Sequence, residues 1–484
     1  MRISKKLRVS AIHLKIGKWW KRLFMKNVTV KEIVKACNGI LLCGKDTMPI
    51  LHVSYDSREK KEKMLFVPLL GERADGHSYI SSAFENGAVA TFTCKHKLKD
   101  IPNEQRKYAW ILVEDTKMAL QRVAAWYRRQ LAMPIVGVTG SVGKTTTRAM
   151  IAEALSGSFS VYQTKGNLNS QVGVPVMLLE TGEEEIAVLE MGISEFGEMD
   201  RLTQMVAPEI AVITCIGVAH IEQLKTREHI CMEKMAITHG MKQDGILLLN
   251  GDDKMLAQKK NSVPQKVYYY GTGKECEFRA EHIHMEGGNT EFLFVCQEDK
   301  IPVSIPTPGR HNILNALAAL AVCKLSGASV EEGAKKLSKF QGIAMRQQIY
   351  QMDSYTVIDD SYNANPDSMK AGLQVLMEYP AQGRKVAVLG DMLELGEQEI
   401  EFHREMGKFA AEIGVDNLCT FGILSSYMEE AAKQANKQIQ TKHFENREEL
   451  AVFLKRLLKP EDVVLLKGSR GMKLNLVADI LKEQ

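Results

Sequence analysis

One segment, MPIVGVTGSVGKTTTRAMIAEAL, joins a short apolar run to a helix-forming stretch through a glycine-rich loop. Gly140 and Gly143 allow this loop to curl until its backbone N–H groups face an anion. Lys144 can then reach the β- and γ-phosphates of a nucleotide, and Thr145 can offer its hydroxyl to Mg²⁺. The common phosphate-loop pattern has glycine where Val138 stands, but the apolar run before the loop and the helix after it are the required context. The segment therefore predicts a nucleoside triphosphate site.

Apolar runs rich in β-branched residues alternate with helix-forming stretches over much of the chain. A first series contains MPIVGVTG, EIAVLEMG, EIAVITCIG and GILLLNGDD, and a second contains YTVIDDSYN, RKVAVLGDM, DNLCTFG and DVVLLKGSRG. Such alternation is typical of parallel sheets covered by helices, so we predict two doubly wound sheets. Because ligands of these sheets bind outside the carboxyl ends of the strands, the residues at those ends are the candidate site residues.

Length and composition limit the class of protein. A chain of 484 residues is too long for one ordinary core, so we expect two or three domains. The content of 45% apolar and 25% charged residues is typical of a soluble globular protein. Nine scattered cysteines without a C-x-x-C pair suit a reducing, cytoplasmic setting, and no apolar run approaches the length that spans a bilayer.

The charge of the chain is concentrated at its start. The first 26 residues hold nine Lys or Arg and no acidic residue. The remainder is slightly acidic and lacks the excess of basic residues that is typical of a nucleic-acid-binding protein. Segment 1–25 has two interpretations: an amphipathic helix that makes peripheral contact with a membrane, or a tail upstream of a natural start at Met25. We favour the tail, since termini are often disordered.

Three residues near predicted strand ends add to the nucleotide site. Glu190 ends an apolar run, and a carboxylate there can hold Mg²⁺ beside a γ-phosphate. His220 follows the next apolar run, and Lys234 lies in a helix-forming stretch. Taken singly, each type of residue at such a position is more often structural or solvated than functional. Their combination with the loop is what favours a catalytic site.

The order of the motifs points to a family. TGSVGKTT is followed by TKGNLNSQVGVP, LEMG, AHIE, GRHNILNALAA, DDSYNANPDSM and GDMLELG. This order, with the shorter loop, resembles the Mur ligases, which are the ATP-dependent amino-acid ligases of peptidoglycan synthesis. The resemblance covers essentially everything after Met25, and SYDSREKKEKMLFVPLLGERADGHSYI is similar to the family's amino-terminal domain.

The resemblance implies an α/β fold of three domains. After the basic extension at 1–25, it implies a mixed α/β UDP-substrate-binding domain at 26–114. A central P-loop ATPase-like parallel-sheet domain that binds ATP is expected at 115–343, and a carboxyl-terminal Rossmann-like domain at 344–484. Each active site can be built from one chain, so we expect a monomer.

Two stretches, DSYNANPDSM and VLGDMLELGEQEIEFHREMG, indicate which activity of the family to expect. They resemble the member that joins D-alanyl-D-alanine to UDP-N-acetylmuramoyl-tripeptide. The expected reaction forms an acyl phosphate and ADP, and the amine of the dipeptide then displaces phosphate. The alternative is a sibling ligase that adds another amino acid or dipeptide.

The resemblance also implies roles for individual residues. ATP contacts are expected from Gly140, Ser141, Val142, Gly143, Lys144, Thr145, Thr146, Asn312, Arg346 and Asp360. The expected Mg²⁺ ligands are Thr145, Glu190, His220 and Lys234, and the last of these falls where the family carries a lysine carbamylated by CO₂. A carbamate would supply oxygens to the cation, whereas an ammonium would repel it. Lys144, Glu190, His220 and Lys234 are thus the expected catalytic residues.

Substrate contacts are expected on both sides of the nucleotide. Ser57 and Arg58 match residues near the uridine diphosphate, although Arg58 could equally form an exposed ion pair. Asn167, Asn169 and Gln171 match the segment that meets the muramoyl portion. Asn363 and Asn365 lie on the loop expected to face the incoming amine, where Asn and Pro could also form a plain turn.

Two hypotheses from other classes are disfavoured by the sequence. The first is a nucleotide-gated scaffold, in which hydrolysis serves as a switch. Against it stand the candidate carboxylate, histidine and carbamate lysine, together with an acceptor-substrate domain that a switch does not need. The second, a dinucleotide-dependent oxidoreductase, lacks the G-x-G-x-x-G turn after either first strand.

Overall fold

The computed structural model describes residues 28–71, 74–97, 100–286 and 288–483. The basic segment 1–25 lies outside these residues, and so do both interpretations of it, the favoured tail and the membrane-contacting helix. The described chain is a mixed α/β structure with four sheets, which confirms the predicted fold class. No described helix is both long enough and apolar enough to span a bilayer.

The amino-terminal part contains a five-stranded sheet in the order β2-β7-β6-β5-β4 and a small antiparallel pair, β1 with β3. All its neighbouring strands run parallel except β2 and β7. Its elements are β1 (Val28–Thr29), α1 (Val30–Cys37), β2 (Ile40–Cys43), β3 (Pro49–Ile50), β4 (His52–Ser54), β5 (Met64–Phe66), α2 (Ile80–Glu85), β6 (Ala88–Cys94), β7 (Ala109–Val113) and α3 (Thr116–Arg128).

The central part is built on a nine-stranded sheet in the order β16-β15-β14-β13-β12-β11-β8-β10-β9. Its elements are β8 (Ile135–Thr139), α4 (Lys144–Leu155), β9 (Val161–Gln163), α5 (Gly173–Glu180), β10 (Ile186–Glu190), α6 (Glu198–Val206), β11 (Ile210–Ile213), α7 (Ile221–Leu224), α8 (Arg227–Met235), β12 (Ile246–Asn250), β13 (Lys266–Gly271), β14 (Phe278–Glu286), β15 (Asn289–Cys296), β16 (Asp299–Ile305), α9 (Arg310–Ser326) and α10 (Val330–Leu337).

The carboxyl-terminal part has a six-stranded sheet in the order β17-β18-β22-β19-β20-β21, parallel except at the edge strand β17. Its elements are β17 (Gln348–Gln351), β18 (Thr356–Asp360), α11 (Pro366–Glu378), β19 (Lys385–Gly390), α12 (Glu399–Glu412), β20 (Asn417–Phe421), α13 (Ser426–Ala435), β21 (Gln440–Phe444), α14 (Arg447–Leu457), β22 (Val463–Lys467) and α15 (Asn475–Lys482).

The central sheet differs from the prediction at one edge. Strands β14, β15 and β16 pair antiparallel, so this sheet is mixed rather than parallel. Strand β14 alternates between buried and more exposed residues, and the edge therefore covers α9 with one face and meets solvent with the other. In the run FRAEHIHME no two apolar residues are adjacent, which hides it from a search for continuous apolar runs.

Helix α3 connects the first sheet to the second. Its buried residues pack in one hydrophobic core with α1 and with the central helices α5 and α6. The predicted domain limit between 114 and 115 falls just before this helix, and the limit between 343 and 344 falls between the second and third large sheets. The division of the chain at these two points stays a proposal.

Arg128, the last residue of α3, fastens this helix to the central sheet. Its side chain is buried and donates hydrogen bonds to the carbonyls of Val206 (2.7 Å), Ala207 (3.1 Å) and Met133 (3.2 Å). It also lies 2.8 Å from a carboxylate oxygen of Glu209, and the other oxygen of that carboxylate accepts from a backbone N–H at the start of β8. One guanidinium therefore satisfies several carbonyls that would otherwise be buried without partners.

We expect Arg128→Ala to lower the free energy of unfolding by about 3 kcal/mol or more. The substitution leaves these buried carbonyls without a donor and the Glu209 carboxylate without its cation. Urea unfolding followed by circular dichroism measures the change. Arg129→Ala is the matched control, since Arg129 is exposed, and it should change stability by less than about 0.5 kcal/mol. Equal urea midpoints for the two variants would contradict this role.

Candidate active site

Strand register brings the candidate residues to one edge of the central sheet. Strand β8 lies between β10 and β11, and Glu190 at the end of β10 pairs with Val138 of β8. Ile213 at the end of β11 pairs with Thr139 on the other side. The loops that follow these three parallel strands therefore leave the sheet side by side, as the rule for parallel sheets predicts.

The loop after β8 curls as its glycines suggest. Gly140 has φ +148°, and a Cβ there would lie 1.9 Å from the Thr214 hydroxyl oxygen, so no side chain fits. Gly143 has φ +84° and precedes the first residue of α4, where no described side chain caps the helix. The N–H groups of the first turn are thus left for a ligand, and the helix dipole favours an anion there.

Lys144 occupies the first position of α4 and turns back over the loop. Its Nζ donates a hydrogen bond of 2.7 Å to the Gly140 carbonyl. Burial lowers the pKa of Lys144, the nearby Glu190 carboxylate opposes that shift, and the Arg346 guanidinium adds to it. An anion in the loop would favour the charged ammonium, so the site is electrostatically suited to phosphate.

Glu190 presents one carboxylate oxygen without a partner. The residue is 1% exposed, its backbone N–H donates to the Thr164 hydroxyl at 2.9 Å, and Asn169 Nδ2 donates to its Oε1 at 2.7 Å. Its Oε2 is buried and has no hydrogen-bond partner among the described residues. A buried acceptor of this kind requires a partner, and a hard cation supplies one.

His220 stands at the start of α7 with φ +61°. Its Nδ1 lies 2.9 Å from Oε2 of Glu394, which belongs to the carboxyl-terminal part. The hydrogen bond to His220 lowers the pKa of the Glu394 carboxyl. Within the described residues, no three His, Cys, Asp or Glu side chains form a group that could hold a metal ion by themselves. A cation here would therefore need hydroxyl and phosphate oxygens as well.

Lys234 lies in α8, behind the loop. It is 1% exposed, and burial together with the positive charge of Lys144 lowers its pKa to about 7. In a large fraction of the molecules, the Lys234 side chain is therefore a neutral amine near neutral pH, which is unusual for lysine. Lys234 does not line the cavity described below.

The carboxyl-terminal part forms the opposite wall. Asp360 ends β18 and pairs in register with Lys467, which ends β22. Lys467 is 2% exposed, and its Nζ donates to Asp360 Oδ2 at 2.7 Å and to the Asn363 carbonyl at 3.1 Å. The guanidinium of Arg346 lies 4.2 Å from the ring centroid of Tyr362. Asn365 caps α11, since its Oδ1 accepts from a backbone N–H in the first turn, and it also lines the cavity.

A polar network supports the nucleotide side of the site. Asn312 is the third residue of α9, which begins at Arg310, so Asn312 does not cap this helix. Its Nδ2 donates to the Pro308 carbonyl at 2.8 Å, and its Oδ1 accepts from Asn315 at 3.0 Å. Asn315 Oδ1 in turn accepts from the Thr147 hydroxyl at 2.8 Å. Helix α9 is thereby fixed against α4, the helix that carries the phosphate loop.

One cavity of about 340 Å³ gathers most of the candidates. Those that line it are Ser141, Val142, Gly143, Lys144, Thr145, Thr146, Asn167, Asn169, Glu190, His220, Asn312, Arg346, Asp360, Asn363 and Asn365. Those that do not line it are Gly140, Lys234, Gln171, Ser57 and Arg58. Gly140 nonetheless shapes the loop at its rim. The cavity thus lies between the central and carboxyl-terminal sheets and is open to residues of both.

Three predicted substrate residues lie elsewhere. Gln171 is buried, and its Nε2 donates to the Glu198 carbonyl at 3.0 Å, which gives it a structural role between α5 and α6. Arg58 is exposed and forms an ion pair of 2.6 Å with Asp56, the alternative that its position left open. The Ser57 carbonyl accepts from an Asn86 amide. Substrate contact by these three residues stays a prediction.

Several cavity residues escaped the sequence analysis. Lys467 ends an apolar run, so the strand-end rule could have found it, but a lysine before glycine is commonly a solvated turn residue. His311 and Gln347 also line the cavity, and they lie 2.6 Å apart through His311 Nε2 and Gln347 Oε1. They come from segments 36 positions apart, so only the folded chain brings them together.

Family models match most of the chain. The model described as "Mur ligase family, catalytic domain" covers residues 49–128, the "Mur ligase middle domain" covers 138–323, and the "Mur ligase, glutamate ligase domain" covers 345–470. Each of the three matches covers most of one of the three large sheets described above.

Individual relatives agree with these models. The UDP-N-acetylmuramoyl-tripeptide–D-alanyl-D-alanine ligase of Bacillus subtilis is 38% identical over 94% of this chain and 98% of its own length. The protein of that name from Escherichia coli is 32% identical over 95% and 99%.

Solved structures point the same way. A crystal structure of MurF from Acinetobacter baumannii superposes with a TM-score of 0.85 at 30% identity, over 94% of this chain and 99% of that one. MurF from Thermotoga maritima in complex with ADP gives 0.79 at 29% identity, over 89% and 97%. On the family models and these full-length relatives together, the chain belongs to the Mur ligase family.

Proposed function

We propose that this protein is an ATP-dependent, ADP-forming ligase that joins D-alanyl-D-alanine to UDP-N-acetylmuramoyl-tripeptide. The product is the UDP-muramoyl-pentapeptide precursor of peptidoglycan. The observation that carries the proposal is the cavity between two sheets, where a phosphate loop and the buried carboxylate of Glu190 face Asn363 and Asn365 across the site. The relatives that carry this activity in their names match the chain over nearly its whole length.

The nucleotide belongs on the central sheet in this proposal. We assign the phosphates to the loop N–H groups and Lys144, and the adenine to Asn312, which lines the cavity at the start of α9. Arg346 and Asp360 line the cavity from the other wall, to which we assign the ribose and the phosphates. Charge complementarity supports this placement, because the cations Lys144 and Arg346 line the same cavity.

The residues fit a magnesium ion. The unpartnered Oε2 of Glu190 is an oxygen donor aimed at no described protein group, and Thr145 and His220 line the same cavity. Mg²⁺ commonly uses one or two protein side chains and completes its shell with phosphate oxygens and water, so a small protein donor set suffices. When bound, the ion neutralises charge on the nucleotide phosphates.

Lys234 is suited to carbamylation. Only the neutral amine reacts with CO₂, and burial provides that form by lowering the pKa of Lys234 to about 7. The change would also replace a like-charge interaction with Lys144 by an attractive one, since a carbamate is anionic. We therefore propose that Lys234 is carbamylated in the active enzyme.

The chemistry joins an unreactive carboxylate to an amine in two steps. The terminal carboxylate of the tripeptide attacks the γ-phosphorus of ATP, the bond from that phosphorus to the bridging oxygen breaks, and ADP leaves. The amine of the dipeptide then attacks the acyl carbon and phosphate departs. Lys144 offsets the negative charge that accumulates in the first step. Walls from two sheets exclude the water that would hydrolyse the acyl phosphate.

The setting of the reaction follows from the substrates and the thiols. All nine cysteines are free, which suits a reducing cytoplasm, and we propose that location. Both walls of the cavity come from one chain, which supports a monomer as the active unit. The partners are then small molecules rather than nucleic acid.

Phosphate release tests the proposed function directly. The assay contains ATP, Mg²⁺ and UDP-N-acetylmuramoyl-tripeptide, with or without D-alanyl-D-alanine, and mass spectrometry identifies the product. Release that requires both substrates and yields the pentapeptide supports the proposal. Release that ignores D-alanyl-D-alanine but responds to another amino acid would favour a sibling ligase. Release with neither acceptor nor amine would favour a nucleotide switch.

Carbamylation of Lys234 has its own expected result. Protein equilibrated with ¹³C-labelled CO₂ should show a carbamate carbon by NMR that is absent from Lys234→Met. At a fixed dissolved CO₂ concentration the signal should grow as pH rises through the pKa of about 7, because the ammonium form predominates below it. A labelled signal that persists in Lys234→Met would assign the carbamate to another amine. Exposed Lys242 provides the control variant, Lys242→Met.

A further inference from the structure

The loop between β11 and α7 is held by two carboxylates from the carboxyl-terminal part. Asp367, in the first turn of α11, accepts a hydrogen bond of 3.0 Å from the Val218 N–H. Glu394, in the loop after β19, has its Oε2 2.9 Å from Nδ1 of His220. Helix α11 and the loop after β19 therefore contact the backbone and the imidazole of the same short loop, and this imidazole belongs to the proposed cation site.

The segment that presents Glu394 is firmly anchored. Asp391 Oδ1 accepts from the Ser425 N–H at 2.7 Å, and the same carboxylate accepts from the N–H of Ile423 at 3.0 Å. The Met392 N–H donates to the Nε2 of buried His403 at 3.0 Å. These bonds fix the start of the loop to the segment between β20 and α13 and to α12.

Glu394 itself adopts an uncommon backbone conformation. Its φ is +63°, and the Leu393 N–H just before it donates to the Ser469 hydroxyl at 2.9 Å. A non-glycine residue in the left-handed region is held there by its surroundings, and such residues concentrate at functional sites. The anchored loop thus holds Glu394 in a strained backbone conformation that directs its carboxylate at His220.

The hydrogen bond decides which imidazole nitrogen is free. A carboxylate accepts only from a protonated nitrogen, so the neutral imidazole of His220 carries its proton on Nδ1 and has its lone pair on Nε2. His220 lines the cavity that also holds Glu190 and Thr145. Carboxylates that receive the second N–H of a ligating histidine fix its tautomer and its orientation, and they raise its basicity.

We propose that Glu394 is a positioning residue that reaches across from the carboxyl-terminal part to hold His220 in the tautomer that binds the divalent cation. This inference rests on the proposed function, in which His220 is a cation ligand. It couples two events, because His220 is oriented only when the carboxyl-terminal part is docked. By reciprocity, a bound cation favours the docked arrangement by the same factor.

A merely structural ion pair would behave differently. The side chain of Glu394 is 59% exposed, and exposed ion pairs contribute little to stability. Removal of the carboxylate should therefore leave the unfolding transition nearly unchanged while it weakens cation binding. This difference separates the positioning role from a structural one.

The test measures Mn²⁺ binding in the presence of ADP, with free Mn²⁺ detected by electron paramagnetic resonance. Glu394→Ala should raise the Mn²⁺ dissociation constant about 10-fold or more. Glu394→Gln should lie between this variant and the wild type, because an amide oxygen still accepts from Nδ1 but carries no charge. Glu397→Ala is the matched control, since Glu397 is exposed in the same loop and forms no ion pair within the described chain.

The outcomes distinguish the two proposals. Mn²⁺ affinity in Glu394→Ala equal to that of Glu397→Ala would overturn the positioning role and leave the ligase intact. A wild-type protein that binds ADP but no Mn²⁺ would overturn the cation site and with it this inference. ADP affinity measured without a metal should be equal in all four proteins, and a loss confined to Glu394→Ala would place the residue on the nucleotide instead.

Discussion

Lys144→Ala is expected to reduce ligase turnover to the background of the assay, a loss of at least about 10³-fold. The reason is electrostatic. Both steps bring anions together in the cavity, and the ammonium group of Lys144 lies directly over the phosphate loop. Its Nζ donates to the Gly140 carbonyl, which orients the ammonium group over the phosphate loop.

Steady-state phosphate release measures this loss, and thermal unfolding shows whether the variant is folded. The fold should survive, because the side chain makes one hydrogen bond to a loop carbonyl rather than a core contact. Lys242→Ala, an exposed lysine of the same part of the chain, should keep wild-type turnover. A folded Lys144→Ala protein with wild-type turnover would falsify the assignment of the loop.

Glu190→Gln is expected to lower turnover at least about 10²-fold at the Mg²⁺ concentration that saturates the wild type. The substitution keeps the shape of the side chain and the hydrogen bond from Asn169, but it removes the charge. It also replaces the unpartnered Oε2 by an NH₂ group, which cannot bind a cation.

Titration with Mg²⁺ at saturating ATP distinguishes this effect from a folding defect. The Mg²⁺ concentration for half-maximal rate should rise in Glu190→Gln and stay unchanged in Glu195→Gln, an exposed glutamate a few residues along the same chain segment. If Glu190→Gln turned over normally with an unchanged Mg²⁺ requirement, the carboxylate would be a structural cap, the alternative that the isolated residue suggested.

Much of the fold could be predicted because it depends on local patterns. The helix after the phosphate loop occupies Lys144–Leu155, as the stretch KTTTRAMIAEAL indicated. The strands expected from apolar runs such as EIAVLEMG and RKVAVLGDM are present as β10 and β19. Parallel strands buried on both faces read as continuous apolar runs, so periodicity finds them.

The antiparallel edge of the central sheet could not be found in this way. Strands β14 and β16 have one face toward solvent, and their polar residues interrupt every apolar run. Whether these residues form strands depends on which segment pairs with them. That pairing depends on the packing of α9 against the sheet rather than on local propensity.

The candidate site shows the same division. Gly140, Lys144 and Glu190 could be predicted from sequence because each lies at or just after the end of a strand that must meet the ligand edge of the sheet. The end of an apolar run could have marked Lys467 as a candidate, but its partner, like the partner of Glu394, lies far along the chain and could not be found from a local pattern. Lys467 meets Asp360 through strand register, and Glu394 meets His220 only through contact between two parts of the chain.

The sequence by itself determined the phosphate loop, the alternation that builds parallel sheets and the family to which the chain belongs. Those features reside in contiguous residues whose backbone conformation and apolar periodicity are local properties. The tertiary structure alone decided which side chains share the cavity, that burial brings the pKa of Lys234 to about 7, and that Glu394 reaches the imidazole of His220. Burial, register and contact between distant segments are properties of the packed chain. Desolvation and hydrogen bonding depend on spatial neighbours that no local sequence pattern specifies.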